Sequence, residues 1–247
     1  KIIKSSRRKI YKKMNVLITR PLIDAEDLMG KLFSLGHKII HLPTLKILPV
    51  NLEPIDPSEY NAFIFTSANA IRNLKVIKQD KNKLCFCVGV MTEKIARLKG
   101  YSNTISAGGT VNALKNLIIN SEKIDKKSKI AYFCGDNISY DLDLELQRDG
   151  IKVNKIINYN SKKINDLNEE NKKIVENHPP DIIFVYSARS ALSFIEIVKN
   201  YSLYPLMTGS KVMCISKKVA DVFFSSNWKK VQIFSPGEEL LHLKEEN

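Results

Sequence analysis

Long apolar runs are missing from this 247-residue chain: the longest, residues 62–66 and 181–186, reach five or six residues. A helix crossing a bilayer needs roughly 20, so neither a membrane segment nor a membrane partner is expected. No apolar stretch follows the basic N-terminal residues before Asn15, which argues against a secretory signal. Cysteine is sparse. Cys85, Cys87, Cys134 and Cys214 each sit inside a short apolar run, and none has the spacing of a zinc site. Buried reduced thiols in a reducing cytoplasm are the expectation. The strong catalytic signatures are missing as well: there is no GxGxxG, P-loop, GxSxG, HExxH or CxxC. The chemistry is therefore expected to be cofactor-independent or to carry no obvious signature. His37 and His41 share one face of the run GHKIIHLP, but no third ligand accompanies them.

Charge is plentiful and unevenly placed. Of the net +13, seven positive charges (Lys1, Lys4, Arg7, Arg8, Lys9, Lys12 and Lys13) fall in residues 1–13 with no acid among them, leaving +6 for the remainder. Met14 then opens a pattern that looks like a natural start, so residues 1–13 are expected to be a disordered basic extension and not a nucleic-acid arm. The residual lysine excess suits an acidic small molecule and requires no polyanion.

From Asn15 onward short β-rich runs alternate with amphipathic stretches, the pattern of parallel sheets covered by helices. Strands are expected at 15–19, 38–42, 62–66, 84–88, 129–133, 181–186, 211–215 and 230–233, with helices such as 25–35 and 188–199. Two segments break the alternation. Residues 43–51 and 151–160 both read as extended, the first carries Pro43 and Pro49, and Ile151, Val153, Lys155, Ile157 and Tyr159 fall on one face of a period-2 strand. Paired as an isolated two-stranded ladder, they form a double linker. The expected class is α/β: two similar parallel-sheet lobes of the three-layer flavodoxin or Rossmann kind, joined by a two-stranded antiparallel linker. Lobe 1 is discontinuous (14–42 and 164–247), the linker is 43–52 and 151–163, and lobe 2 is 53–150. An internal echo agrees, since YNAFIFTSANAI at 60–71 and PDIIFVYSARSAL at 180–192 share a strand, a hydroxyl and a helix start.

That strand-to-hydroxyl-to-helix turn is what recurs: Thr66 and Ser67 before one helix, Ser187 before another, Gly89 with Thr92 at a third. A Ser there is an ordinary N-cap, contributing about 1 kcal/mol. The same geometry makes an anion site, because helix-start amides at the carboxyl ends of strands line the ligand crevice of open α/β sheets. Several such turns facing one another across a cleft between lobes would hold a molecule with many carboxylates. Lys217 and Lys218 open a helix, where the macrodipole slightly disfavours cations unless solvent or an anionic ligand offsets it. The GGT at 108–110 precedes another helix, with Thr110 as a cap.

Taken in order, VLITRP with LMGKLFSLG, YNAFIFTSANAI, CVGVMTEKIARLKGY, KIAYFCGDN with LELQRDGIKV, the NY of IINYNS and PPDIIFVYSARSALSF resemble the uroporphyrinogen-III synthase family, from Met14 to about Leu243. The resemblance implies a two-lobed enzyme of heme and tetrapyrrole biosynthesis, a cyclising hydro-lyase that takes hydroxymethylbilane, a linear tetrapyrrole polycarboxylate, without metal or organic cofactor. Loss of the terminal hydroxyl leaves a cationic azafulvene. The last ring attacks it through a carbon that already bears a substituent, and the spiro intermediate fragments and recloses with that ring inverted. Catalysis would then be control of conformation, which accounts for the missing signatures.

Carried over from the family motif, Tyr159 would assist departure of the hydroxyl, the alternative being a packing tyrosine on the ladder. Thr66, Ser67, Asn69, Ala70, Thr92, Ser187 and Ser190 match positions where the family's substrate meets backbone and hydroxyl donors. Arg20, in the RP motif, and Arg189 would pair with carboxylates of the substrate or with acids of the protein. One departure stands out: the second Gly-x-x-Thr turn of the family reads here Ser216, Lys217, Lys218, Val219, so a lysine is expected to replace the hydroxyl missing at Val219. The expected partner is the substrate, with a transient handover from the preceding pathway enzyme, no nucleic acid, and a monomer. The alternative from another class is a two-lobed small-molecule binding protein without catalysis.

Overall fold

The computed structural model describes residues 13–78 and 80–243. The basic stretch at the N-terminus therefore lies outside the described residues, apart from Lys13. In chain order the elements are β1 (Asn15–Ile18), α1 (Leu22–Ser34), β2 (Lys38–His41), β3 (Leu45–Pro49), β4 (Ala62–Phe65), α2 (Ala68–Arg72), β5 (Leu84–Cys87), α3 (Val90–Leu98), β6 (Thr104–Ser106), α4 (Val111–Ile119), β7 (Lys129–Gly135), α5 (Leu142–Arg148), β8 (Lys152–Lys163), α6 (Glu169–Asn177), β9 (Ile182–Val185), α7 (Ala188–Asn200), α8 (Tyr204–Met207), β10 (Lys211–Cys214), α9 (Lys217–Phe224) and β11 (Val231–Ile233). Among the described residues no helix is long and apolar enough to cross a membrane.

The chain divides into two compact units. One runs to Lys46 and resumes at Lys162; the other is Ile47–Ser161. The first unit holds a sheet of order β11-β10-β9-β1-β2 with every pairing between these strands parallel. Its inner strands read as continuous apolar runs because both faces are covered. Leu17, Ile183 and Val212 face α6, α7 and α9, whereas Val16, Ile18, Ile182, Phe184 and Met213 face α1.

The second unit holds the order β3-β8-β7-β4-β5-β6. Ile64, Ile130 and Tyr132 face α4 and α5. Phe63, Phe65 and Phe133 face α2 and α3, where Phe63 meets Phe133 edge-on at 5.2 Å and Phe65 stacks on it at 5.6 Å. Each such buried ring contributes about 1.5–3 kcal/mol by area alone, and the pairing adds to it. Cys85, Cys87, Cys134 and Cys214 are free and buried, as expected. Burial pushes the thiols up, that of Cys134 to about 11, so they stay protonated at neutral pH.

The two extended segments do pair. Val50 N–H donates to Asn158 O and Ile164 N–H to Thr44 O, so numbers rise on β3 as they fall on β8 and the pair is antiparallel. The ladder is not isolated, however. β8 also runs parallel to β7 from Lys129↔Lys152 to Gly135↔Tyr159, so it is an interior strand of the second sheet, with β3 as the edge. Pro49 is tolerated there for that reason.

The internal echo proves to be a permuted one. Laid along one another as β11-β10-β9-β1-β2 and β6-β5-β4-β7-β8, the sheets match strand for strand. β9 with α7 then corresponds to β4 with α2, and Ser187, Ala188, Arg189 and Ser190 to Ser67, Ala68, Asn69 and Ala70.

Candidate functional site

Each parallel sheet reverses its winding once. In the first unit the reversal lies between β1 and β9, in the second between β4 and β7. At such a switch point the two connections leave in opposite directions, opening a crevice at the carboxyl ends of the strands. Most of the candidate residues lie at or beside these two places, while Thr92, Lys217 and Lys218 stand one strand further out, after β5 and β10.

In the second unit β4 ends on Phe65, and the next residues turn into α2. Ser67 is extended (φ −153°) and its Oγ accepts from Asn69 N–H at 3.1 Å, while Ala70 N–H donates to Ser67 O. The serine is thus a true N-cap. Its O–H is still a donor, since capping uses only a lone pair. Thr66 Oγ1 lies 3.1 Å from the hydroxyl of Tyr132, a buried phenol whose pKa is driven up by burial, which the hydrogen bond to Thr66 partly offsets. Asn69 is turned aside, its Oδ1 accepting from Arg72 Nη1 at 3.0 Å.

Tyr159 stands opposite Gly135 at the end of β7, and it gets there through a bulge. Cys134 pairs with Ile157 and Gly135 with Tyr159, so Asn158 is an extra residue. The single period-2 face expected for Ile151 through Tyr159 is therefore broken: Ile151 and Val153 pack with the α4–α5 layer, Tyr159 with the α2–α3 layer beside Ile156. Asn158, part of a matching segment in the sequence but given no role there, is buried and donates from Nδ2 to Ala70 O at 2.7 Å.

Thr92 sits in the first turn of α3, but it is turned inward at 6% exposure while Val90 and Met91 are 68% and 60% exposed. Gly89 caps that helix against Gly109, whose Cα lies 3.2 Å from where a Cβ at residue 89 would stand. Thr110 does cap α4, accepting from Ala113 N–H. The equivalent turn in the first unit explains the departure at Val219. It is the third residue of α9 as Thr92 is of α3, and it is likewise buried. Lys217 and Lys218 are the exposed side chains of that turn, and Lys217 Nζ pairs with Asp221 at 2.9 Å.

At the switch point of the first unit, the Arg20 guanidinium stacks over the Tyr186 ring, 4.3 Å from its centroid. The Tyr186 hydroxyl donates to Glu239 at 3.3 Å, and burial followed by that carboxylate's charge raises its pKa. Ser187 caps α7, accepting from Ser190 N–H at 3.0 Å. Arg189 follows, and its Nη1 is buried with no hydrogen-bond partner among the described residues.

Ser190 points inward. Its Oγ lies 2.5 Å from Thr44 Oγ1 and 3.2 Å from Thr19 Oγ1, and Thr19 Oγ1 donates on to Phe184 O. Ser193, one turn along α7, lies 2.6 Å from Ile164 O and 3.0 Å from Thr44 O. These buried hydroxyls tie Thr44, just before β3, and Ile164, just after β8, to α7. Among the described residues no group of His, Cys, Asp and Glu could hold a metal ion. His41 Nε2 is 2.9 Å from Arg20 O, and the Nδ1 of His37 accepts from Met14 N–H at 3.3 Å.

A family model described as uroporphyrinogen-III synthase HemD matches residues 26–236. Among solved structures, uroporphyrinogen-III synthetase from Helicobacter pylori 26695 is similar at a TM-score of 0.60 and 18% identity, over 94% of this chain and 100% of that one. A mutant uroporphyrinogen III synthase from the extremely thermophilic bacterium Thermus thermophilus is similar at 0.56 and 14% identity, over 93% and 95%. At those identities the likeness speaks for the fold, and the family match speaks for the kinship. No curated protein matches the sequence.

Proposed function

Since this chain belongs to the uroporphyrinogen-III synthase family, enzymes of heme biosynthesis, we propose that it closes hydroxymethylbilane to the type III macrocycle by lyase chemistry. The observation that carries the reading is that Tyr159, packed against Gly135 at the end of β7, lies on the strand end next to β4, whose own end leads into the Ser67 turn and Thr66, bonded to Tyr132. In this reading the C–O bond of the hydroxymethyl group breaks, and the Tyr159 O–H hydrogen-bonds the departing oxygen. The resulting cation is attacked by the substituted carbon of the last ring, and fragmentation and reclosure follow with loss of a proton, water being the net product besides the macrocycle.

The uncatalysed closure gives the uninverted isomer, so the protein's task is to hold a flexible polyacid in the conformation that makes the harder attack win. Donors suited to carboxylates stand at each switch point taken by itself: the Ser67 hydroxyl at one, and the Ser187 hydroxyl, the amides of α7 and the guanidinium of Arg189 at the other. Arg20, Lys217 and Lys218 supply further positive charge, and Thr66, Asn69 and Ala70 frame the Tyr159 side. Thr92 and Ser190 act in this reading by shaping their turns from within.

A binding protein without turnover is not favoured by the family match. The test is to supply freshly made hydroxymethylbilane and identify the isomer formed with and without protein. The type III isomer is expected; only the type I isomer, at the spontaneous rate, would sink the proposal.

A further inference from the structure

We propose that Asn158 is a positioning residue that sets the place of the Tyr159 hydroxyl, an inference that rests on the role given to Tyr159 above. Asn158 is 3% exposed in a strand position that an apolar side chain would fill. Burying an amide costs free energy unless its hydrogen bonds are replaced. Here only half are: Nδ2 reaches Ala70 O, while Oδ1 is buried with no hydrogen-bond partner among the described residues. Stability alone would favour valine.

What the asparagine does supply is a fixed bulge. It is the extra residue between Ile157 and Tyr159, and bulges re-aim side chains beside active sites. Without it, residue 158 and not Tyr159 would stand opposite Gly135. Its amide also bolts the bulge to the third residue of α2, the helix whose start carries Thr66, Ser67 and Asn69. The first unit repeats the device in different chemistry. Ser190, the counterpart of Ala70, bonds Thr44, in the segment between β2 and β3 that leaves that sheet. In both units, then, a polar residue of the linker is clasped to the third residue of the switch-point helix.

Asn158→Val removes the clasp and keeps the bulk; Asn158→Asp keeps the shape and sets a carboxylate against a carbonyl. In both, kcat is expected to fall on the order of tenfold, less than the ~10²-fold that a 1 Å misplacement can cost, with KM changed less than about twofold. The share of type III isomer should fall alongside. The deciding measurement repeats Asn158→Val in a Tyr159→Phe background. A residue that works through the Tyr159 hydroxyl should there cost less than about twofold, because coupled effects do not add.

An equal loss in both backgrounds overturns the proposal, as does an unchanged rate and isomer ratio. Failure of both single variants to fold would assign Asn158 to stability and overturn it too. Absence of type III product from the wild-type protein would instead defeat the functional reading, which keeps the two failures apart.

Discussion

The Tyr159 ring occupies the space in which residue 135 would carry a side chain. A Cβ built on Gly135 would come within 2.6 Å of Cε2, 2.7 Å of Cζ and 2.9 Å of the hydroxyl oxygen. Contacts under 3.0 Å do not persist, so any residue other than glycine there must push the ring away.

This leads to a paired prediction. Tyr159→Phe removes one hydroxyl and should slow type III formation by about 10²-fold without abolishing it, the lower end of what losing a proton-handling group costs. Gly135→Ala keeps the hydroxyl but displaces it, and should lower kcat at least as far. Rates on hydroxymethylbilane, with melting temperatures to confirm folding, check both. Wild-type activity in Gly135→Ala would show that the close approach has no bearing on the chemistry.

Arg189 offers a separation of stability from binding. A cationic side chain with a buried, unsatisfied nitrogen is a cost to the folded state. Arg189→Met should therefore leave the melting temperature unchanged or raise it, while KM rises about tenfold, as expected on losing one charge-assisted hydrogen bond to a carboxylate. A lower melting temperature with KM untouched would mean that the guanidinium serves the fold.

Much of the fold was legible because parallel strands covered on both faces leave a plain trace of apolar runs. The expected strands at 62–66 and 211–215 are found at Ala62–Phe65 and Lys211–Cys214. β6, of three residues and mostly half-buried, left no such trace. The β8 bulge was hidden for a different reason: it depends on which residue of β7 each residue of β8 faces, and no local pattern encodes that. Ser67 and Ser187 were readable as caps, because a cap is local. The inward turn of Ser190 and the clasp of Asn158 were not, since their partners Thr44 and Ala70 lie 146 and 88 residues away.

Ser193 shares one proton between the carbonyls of Thr44 and Ile164, inside a fully buried setting. Ser193→Ala leaves both oxygens without that donor, and should cost about 1–3 kcal/mol. The midpoint of urea unfolding should fall accordingly. An unchanged midpoint would indicate that water replaces the hydroxyl at no cost.

Glu93 provides a pH signature. Its carboxylate accepts from Arg97 at 2.7 and 3.1 Å and from Thr104 at 2.9 Å, fastening α3 to β6. The Arg97 bond first, then that of Thr104, holds its pKa below the ordinary 4.5. A folded value below the unfolded one means that the stabilisation is complete above the unfolded pKa and is lost as pH falls through the folded one. Wild type should melt above Glu93→Gln at neutral pH, with the gap closing in acid. A gap that stays constant down to the acid limit would show that charge is not its source.

Thr19, which follows β1, bonds Phe184, which lies in β9, across 165 residues of chain. During translation at about 5–20 residues per second, a newly made β1 waits roughly 8–33 s for that neighbour to leave the ribosome. Residues 47–161 carry their own sheet and can finish folding in the interval. Stalled nascent chains ending soon after residue 161 has emerged should thus yield a protease-resistant second unit attached to a still-digestible leading segment. The permuted layout makes β1 one of the last strands to gain its full set of neighbours.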